Sequence, residues 1–211
     1  LPKRLYITND EAPLSEAQVK EHFAMIDTHT TEIVENPQDS RKRFSRAVDF
    51  YLVQDFENSI EDLTQAILND KTFFPAYFMR ALVRYKQLEY LKAEGQNTAN
   101  VSQGKAAMVA AIDYDVVKND FDNVIALAPD FVYAYYNRGN LLSVLKDYRS
   151  AIIDYSKAID LNKDFAEAYF NRGLTYIFLG NNKKGIADLS KAGELGIVSA
   201  YNIIKRFTEV P

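Results

Sequence analysis

Four arginines recur in this chain, each with an aspartate behind it. Arg46, Arg138 and Arg172 are followed after sixteen residues by Asp62, Asp154 and Asp188, and Arg80 after forty by Asp120. A guanidinium drawn out of water needs a carboxylate to answer it, and the planar fork of Arg fits one edge-on. The pattern predicts structural ion pairs, each joining an Arg to an Asp of its own or an adjacent unit, rather than a ligand site.

Other chemistry has little to work with. His22 and His29 are the only histidines and stand seven apart, hence roughly on one face of a helix. As metal ligands they need further donors, and none lies at a diagnostic spacing, so packing is their expected role and no metal is expected. With no cysteine there is no thiolate nucleophile, thiolate metal site or disulfide. "SQGK" at 102–105 lacks the flanking glycines and the strand of a phosphate loop. The acidic pairs along the chain have no motif around them and read as solvated helix faces. No catalytic residue and no cofactor is expected, and the chain is not read as an enzyme.

Charge and hydropathy narrow the partners. The net charge is −4, and the densest basic cluster, Arg41-Lys42-Arg43, is surrounded by Asp39, Asp49 and Asp55. A nucleic-acid groove needs a basic face, so no nucleic-acid partner is expected. No apolar run approaches the ~20 residues of a membrane span. The chain begins at Leu1 rather than Met; it is expected to be a processed or excised piece, and its compartment is left open.

The elements that must hold these residues repeat as the residues do. "AYYNRGNLL" at 134–142 returns as "AYFNRGLTY" at 168–176, 34 residues on. The register places units at 40–73, 74–131, 132–165 and 166–197, with Arg at the seventh place of each. Phe74 and Val132 are 58 residues apart, and Arg80 and Asp120 are 40 apart; both exceed the regular spacing by 24, so one 24-residue insertion near 86–113 accounts for both. Within each unit apolar residues recur three and four apart in two runs, which predicts two helices. Pro37, Pro129 and Gly180-Asn181-Asn182 fall where turns are needed. Small residues stand where paired helices cross: Ala47, Ala81, Gly139 or Gly173 at the eighth place, and Ser59, Ala151 or Gly185 at the twentieth. Val117 and Val124 replace the usual Ala in the second unit, so its helices are expected farther apart.

This pattern resembles the tetratricopeptide repeat (TPR) family over roughly Ser40 to Ile197. The aromatic and large apolar places of that family are filled by Tyr77, Tyr135 and Tyr169, by Phe50 and Tyr176, and by Leu63, Phe121, Tyr155 and Leu189. The family's frequent Leu at the seventh place is Arg throughout. The resemblance implies an all-α fold, a right-handed superhelical stack of antiparallel helix pairs (a TPR-like α-solenoid). It also implies a concave groove lined by set places of each first helix. Mapped here, those places give Phe44, Tyr51, Phe78, Tyr85, Tyr136, Asn137, Asn140, Phe170 and Asn171. An Asn on such a wall can donate to and accept from an extended peptide backbone; equally, Asn137 and Asn171 can bridge neighbouring helices. The Lys, Asn and Arg with which chaperone-binding members hold a terminal carboxylate are not in place, so that ligand is not expected.

The ends complete the plan. Residues 1–14 read as an extended arm and 15–37 as a capping helix with a Ser15–Gln18 capping box. Residues 198–211 read as a closing helix and tail, and the insertion as two overlong helices joined by a loop. The function expected is a non-catalytic scaffold that binds an extended segment or helix of a protein partner in the groove. The alternative is a structural module that self-associates, as a homo-oligomer, or docks within a larger chain through the projecting hairpin or the stack ends.

Overall fold

The computed structural model describes residues 13–97 and 114–208, and the described residues hold ten helices and no strand. All but the last two residues of the arm expected over 1–14, the loop and the start of the second long helix expected in the insertion, and the last three residues lie outside them. The chain divides into two compact units, the first ending at Pro129 and the second running from Asp130. Among the described residues no helix is long and apolar enough to cross a membrane.

The first unit contains α1 (Glu16–Glu35), α2 (Ser40–Leu52), α3 (Phe56–Asn69), α4 (Phe74–Asn97) and α5 (Tyr114–Leu127), each packed on the next. Ser15 caps α1 with both bonds of the capping box, its Oγ accepting from the Gln18 N–H and its own N–H donating to Gln18 Oε1. Asp39 and Asp55 cap α2 and α3 through the same free donors of a first turn. The apolar faces meet in a core of Ala47, Leu63, Ala66, Ile67, Ala76, Met79 and Val83. Burying one large aliphatic side chain there is worth roughly 1.5–3 kcal/mol. At the crossing of α2 and α3, Ser59 is small enough to sit against Ala47 and donates its hydroxyl to the Ala47 carbonyl at 2.7 Å. The helix α4 is 24 residues long where α2 has 13; at 1.5 Å per residue it reaches about 36 Å. Its partner α5 buries Val117, Phe121 and Val124 completely, with the Phe78 and Phe121 rings 6.0 Å apart.

The second unit contains α6 (Val132–Val144), α7 (Tyr148–Leu161), α8 (Ala166–Phe178), α9 (Asn182–Glu194) and α10 (Ser199–Thr208). Asp147 caps α7 and Asn181 caps α9. Backbones touch where α8 crosses α9. A Cβ on Gly185 would stand 2.8 Å from the Gly173 carbonyl and 2.5 Å from Ile177, too close for any side chain. This close approach outweighs the ~1 kcal/mol that Gly costs a helix relative to Ala. The helix α10 lays Ala200, Ile203 and Ile204 onto a core with Leu189 and Ala192.

Candidate functional site

The repeated arginines form one motif, built the same way four times. Each extends from a first helix to the second helix behind it, and its fork meets both carboxylate oxygens. Arg46 Nε and Nη2 donate to Asp62 at 2.7 Å each. Arg80 reaches Asp120 at 3.0 and 2.6 Å, Arg138 reaches Asp154 at 2.7 Å twice, and Arg172 reaches Asp188 at 2.7 and 2.8 Å. All four aspartates are buried. A ring of the same helix lies beside each guanidinium, Phe50, Tyr77, Tyr135 and Tyr169, at 5.6–5.9 Å.

A third partner is invisible to the Arg–Asp pattern. Arg46 Nη1 donates to Thr30 Oγ1 at 2.9 Å, Arg80 Nη1 to Thr64 Oγ1 at 3.1 Å, and Arg172 Nη1 to Ser156 Oγ at 2.9 Å. Each hydroxyl spends its own proton on the carbonyl four residues back, at 2.7 Å, which leaves a lone pair for the arginine. The hydroxyl residue stands sixteen before its Arg, so the signal lay in the same register as the aspartates.

Charge is tuned by these contacts. The hydrogen bonds and charge of Asp62 raise the Arg46 pKa above its ordinary value against the pull of burial. Burial also works against the Arg172 charge, but Asp188 outweighs it and raises that pKa too. Arg84 differs: it joins Asp120 at 2.8 Å as a second cation, and burial lowers its pKa despite that carboxylate. These bidentate pairs join the two helices of each hairpin, with the carboxylate buried in all four.

The two histidines join α1 to α2. His22 Nδ1 lies 2.8 Å from Asp49 Oδ1, and His29 Nε2 lies 3.6 Å from Asp49 Oδ2. His29 Nδ1 is 2.8 Å from Glu32, whose other oxygen takes Lys42 Nζ at 2.7 Å. The Lys42 bond, followed by that to His29, holds the Glu32 carboxyl below its ordinary range. Among the described residues no group of three or more His, Asp or Glu side chains is disposed to hold a metal.

The residues mapped to a groove wall divide by burial. Asn137 is fully buried and donates Nδ2 to the Tyr133 carbonyl one turn back, at 2.8 Å, so it presents no amide to a ligand. Phe78, Tyr85 and Tyr136 are also buried, Phe78 against Phe121 and Tyr136 against Phe165 at 4.7 Å. The Tyr85 hydroxyl bonds Glu89, and burial pushes its pKa well above the ordinary phenol value. These four are corrections: in each case a neighbouring ring, carbonyl or carboxylate claims the side chain. Phe44, Tyr51, Asn140, Phe170 and Asn171 remain partly open.

Of those five, Asn140 and Asn171 are brought together. Asn171 Nδ2 donates to Asn140 Oδ1 at 2.8 Å and to the Tyr136 hydroxyl at 3.0 Å. Tyr155 also donates to Asn140 Oδ1, at 2.8 Å, and its oxygen lies 3.2 Å from Ser143 Oγ. These donors fix the orientation of both amides. Asn140 Nδ2 and Asn171 Oδ1 are left over, a donor beside an acceptor, with no further partner among the described residues. A peptide group offers the complementary acceptor and donor.

Comparison with known proteins bears on the repeat itself. The tetratricopeptide repeat pattern matches residues 132–165 and again, in a second form, residues 166–195. The chain carries tetratricopeptide repeats. Both lie in the second unit, and the Asn140–Asn171 contact joins the first helix of one repeat to the first helix of the next. The solved structure of MamA superposes with a TM-score of 0.70 at 18% identity, covering 88% of this chain and 95% of that one. The 41-end form of MamA from Desulfovibrio magneticus RS-1 gives 0.62 at 13% identity, covering 94% and 100%. TTC0263, a thermophilic TPR protein of Thermus thermophilus, gives 0.61 at 12% identity, covering 90% and 92%. At such identities the likeness is one of fold, an all-α stack of TPR-type helix pairs. No curated protein resembles the sequence closely enough to count as a relative.

Proposed function

We propose that this chain is a non-catalytic protein-interaction scaffold whose second unit holds the backbone of an extended partner segment at Asn140 and Asn171. The observation that carries this reading is the fixed donor–acceptor pair those amides leave after Tyr136 and Tyr155 have bound their other atoms. Such a pair addresses the peptide group and no particular side chain, so it supports affinity and leaves specificity to the neighbouring Phe170 and Ser143.

The test uses peptides selected by phage display on the whole protein and measured by calorimetry. Replacing both Asn140 and Asn171 with Ala removes two hydrogen bonds worth about 0.5–1.5 kcal/mol each, so capture should weaken by about fivefold or more. Asn137→Ala serves as the contrast, because it should act on stability. Unchanged affinity in the double variant would overturn the groove.

A second reading rests on the closing helix. Val198, just before α10, and Tyr201 and Phe207 within it are exposed, beside Lys205 and Arg206. This surface favours self-association, which light scattering over a range of concentrations reports; a monomer throughout removes it.

A further inference from the structure

The arginine register has a fifth member. Arg206 stands 34 residues after Arg172, and Ala200 stands 34 after Ala166, so α10 holds the place of a first helix. Unlike the other four, Arg206 is exposed and meets no carboxylate among the described residues. The first described helix, α1, holds the complementary place. Its last residue, Glu35, stands 34 before Asn69, the last of α3, so α1 has the register of a second helix. In α3 the places that face the first helix of the hairpin are Ser59 and Asp62, against Ala47 and Arg46. In α1 those places fall on Met25 and Thr28, both exposed. They belong to a stripe of Glu21, Met25, Thr28, Glu32 and Glu35, spaced four and three apart and hence on one face. Ile26 and Ile33, the residues that α1 buries, lie off that stripe.

We propose that α10 of one copy docks head to tail on this stripe of α1 in a second copy. Docking of this kind rests on the self-association reading of the closing helix and names the surface that α10 meets. Charge selects the pairing. The helix α10 carries Lys205 and Arg206 and no acidic side chain. The stripe carries Glu21, Glu32 and Glu35 and no basic one; Lys20, the single Lys or Arg of α1, stands outside it. Glu32 is already answered by Lys42 and His29, while Glu21 and Glu35 have no cation beside them among the described residues. Two copies of α10 would instead bring like charges together. At the crossing, Phe207 takes the eighth place, where Gly139 and Gly173 stand, and Met25 takes the twentieth, where Ser59 and Gly185 stand. Phe207 is 42% exposed and Met25 39%. Ring and thioether are both large, so these helices meet farther apart than those within a copy, through a sulfur–ring contact. The two faces differ, so a copy bound through α10 keeps its own α1 open, and association need not stop at two.

The experiment is sedimentation velocity of the whole protein over a range of concentrations, with two variants. Arg206→Glu and, separately, Glu21→Lys/Glu35→Lys should each raise the concentration needed for association about tenfold, because reversal turns an attraction into a repulsion of similar size. All three positions are exposed, so neither variant loses a packed contact. An equimolar mixture of the two should recover the association of the parent, since opposite charges face each other again. Association of the Glu21→Lys/Glu35→Lys variant as strong as that of the parent, or a mixture no stronger than its parts, would overturn the docking of α10 on α1. Either result leaves self-association through another contact of α10 standing. A parent that stays monomeric at every concentration would remove both.

Discussion

The hairpins of the second unit and the hairpin α4–α5 of the first solve one problem with different chains. In the regular hairpins the first helix stops at a left-handed residue followed by an Asx cap: Lys146 before Asp147, and Gly180 before Asn181. Gln54 before Asp55 does the same between α2 and α3. At the equivalent place α4 has Leu88, still helical and almost fully buried, and the helix continues. Yet Arg80 meets Asp120 in the same two-pronged geometry as Arg138 meets Asp154, across 40 residues instead of 16. The connection is therefore not what sets the pair. Helix packing sets it, and the chain between is free to carry something else, here the added length of α4. At the matching edge of the second unit, Tyr148 is stacked flat beneath Phe178 at 5.8 Å, ring on ring.

The largest expected effect lies in the aspartates. Asp120 answers two arginines and is 1% exposed, whereas Asp154 answers Arg138. Asp120→Asn leaves two largely buried cations short of a charge and should cost about 3–5 kcal/mol in urea unfolding, with Asp154→Asn nearer the lower figure. Equal losses would show that Arg84 adds nothing and would dissolve the contrast between the hairpins.

The left-handed turns should respond next. Gly180→Ala places a Cβ at φ 76° and should cost about 1 kcal/mol, while Lys146→Gly, at φ 62°, should gain about 0.5 kcal/mol. Thermal melts of the two variants measure both. A destabilised Lys146→Gly would mean that the regular turn is held by its side chain and not by its backbone.

The smallest effect is in acid. Asp147 is held below its ordinary value by the Ser150 hydrogen bonds. A depressed carboxyl contributes stability that is fully present above its unfolded pKa and is lost as pH falls through the lower folded value. The Ser150 amide signal should therefore move only below the ordinary aspartate range. Asp147→Asn should keep the cap and remove the titration; movement at higher pH would assign the cap to another group.

The period of 34 and the helix ends are plain in the sequence because caps, small residues and aromatics are chemically distinctive. The hydroxyls of Thr30, Thr64 and Ser156 follow the same register but are common surface types, so nothing marks them until Arg Nη1 is seen to point at them. The choice between Asn137 and Asn140 is of another kind. Three places apart on one helix, they differ only in which neighbour reaches them first: a carbonyl one turn back for Asn137, the Tyr155 hydroxyl for Asn140. The Asp49 link is assembled from elements distant in the chain, and no local pattern records it.

One consequence follows from the triple contact of Arg46, Arg80 and Arg172. Arg46 holds Thr30 of α1 and Asp62 of α3 from a seat on α2, so a single guanidinium rivets three successive helices. Pulled by its ends in an optical trap, the first unit should not shed α1 by itself: tension that frees it must shear the rivet, and α2 and α3 should let go in the same rip.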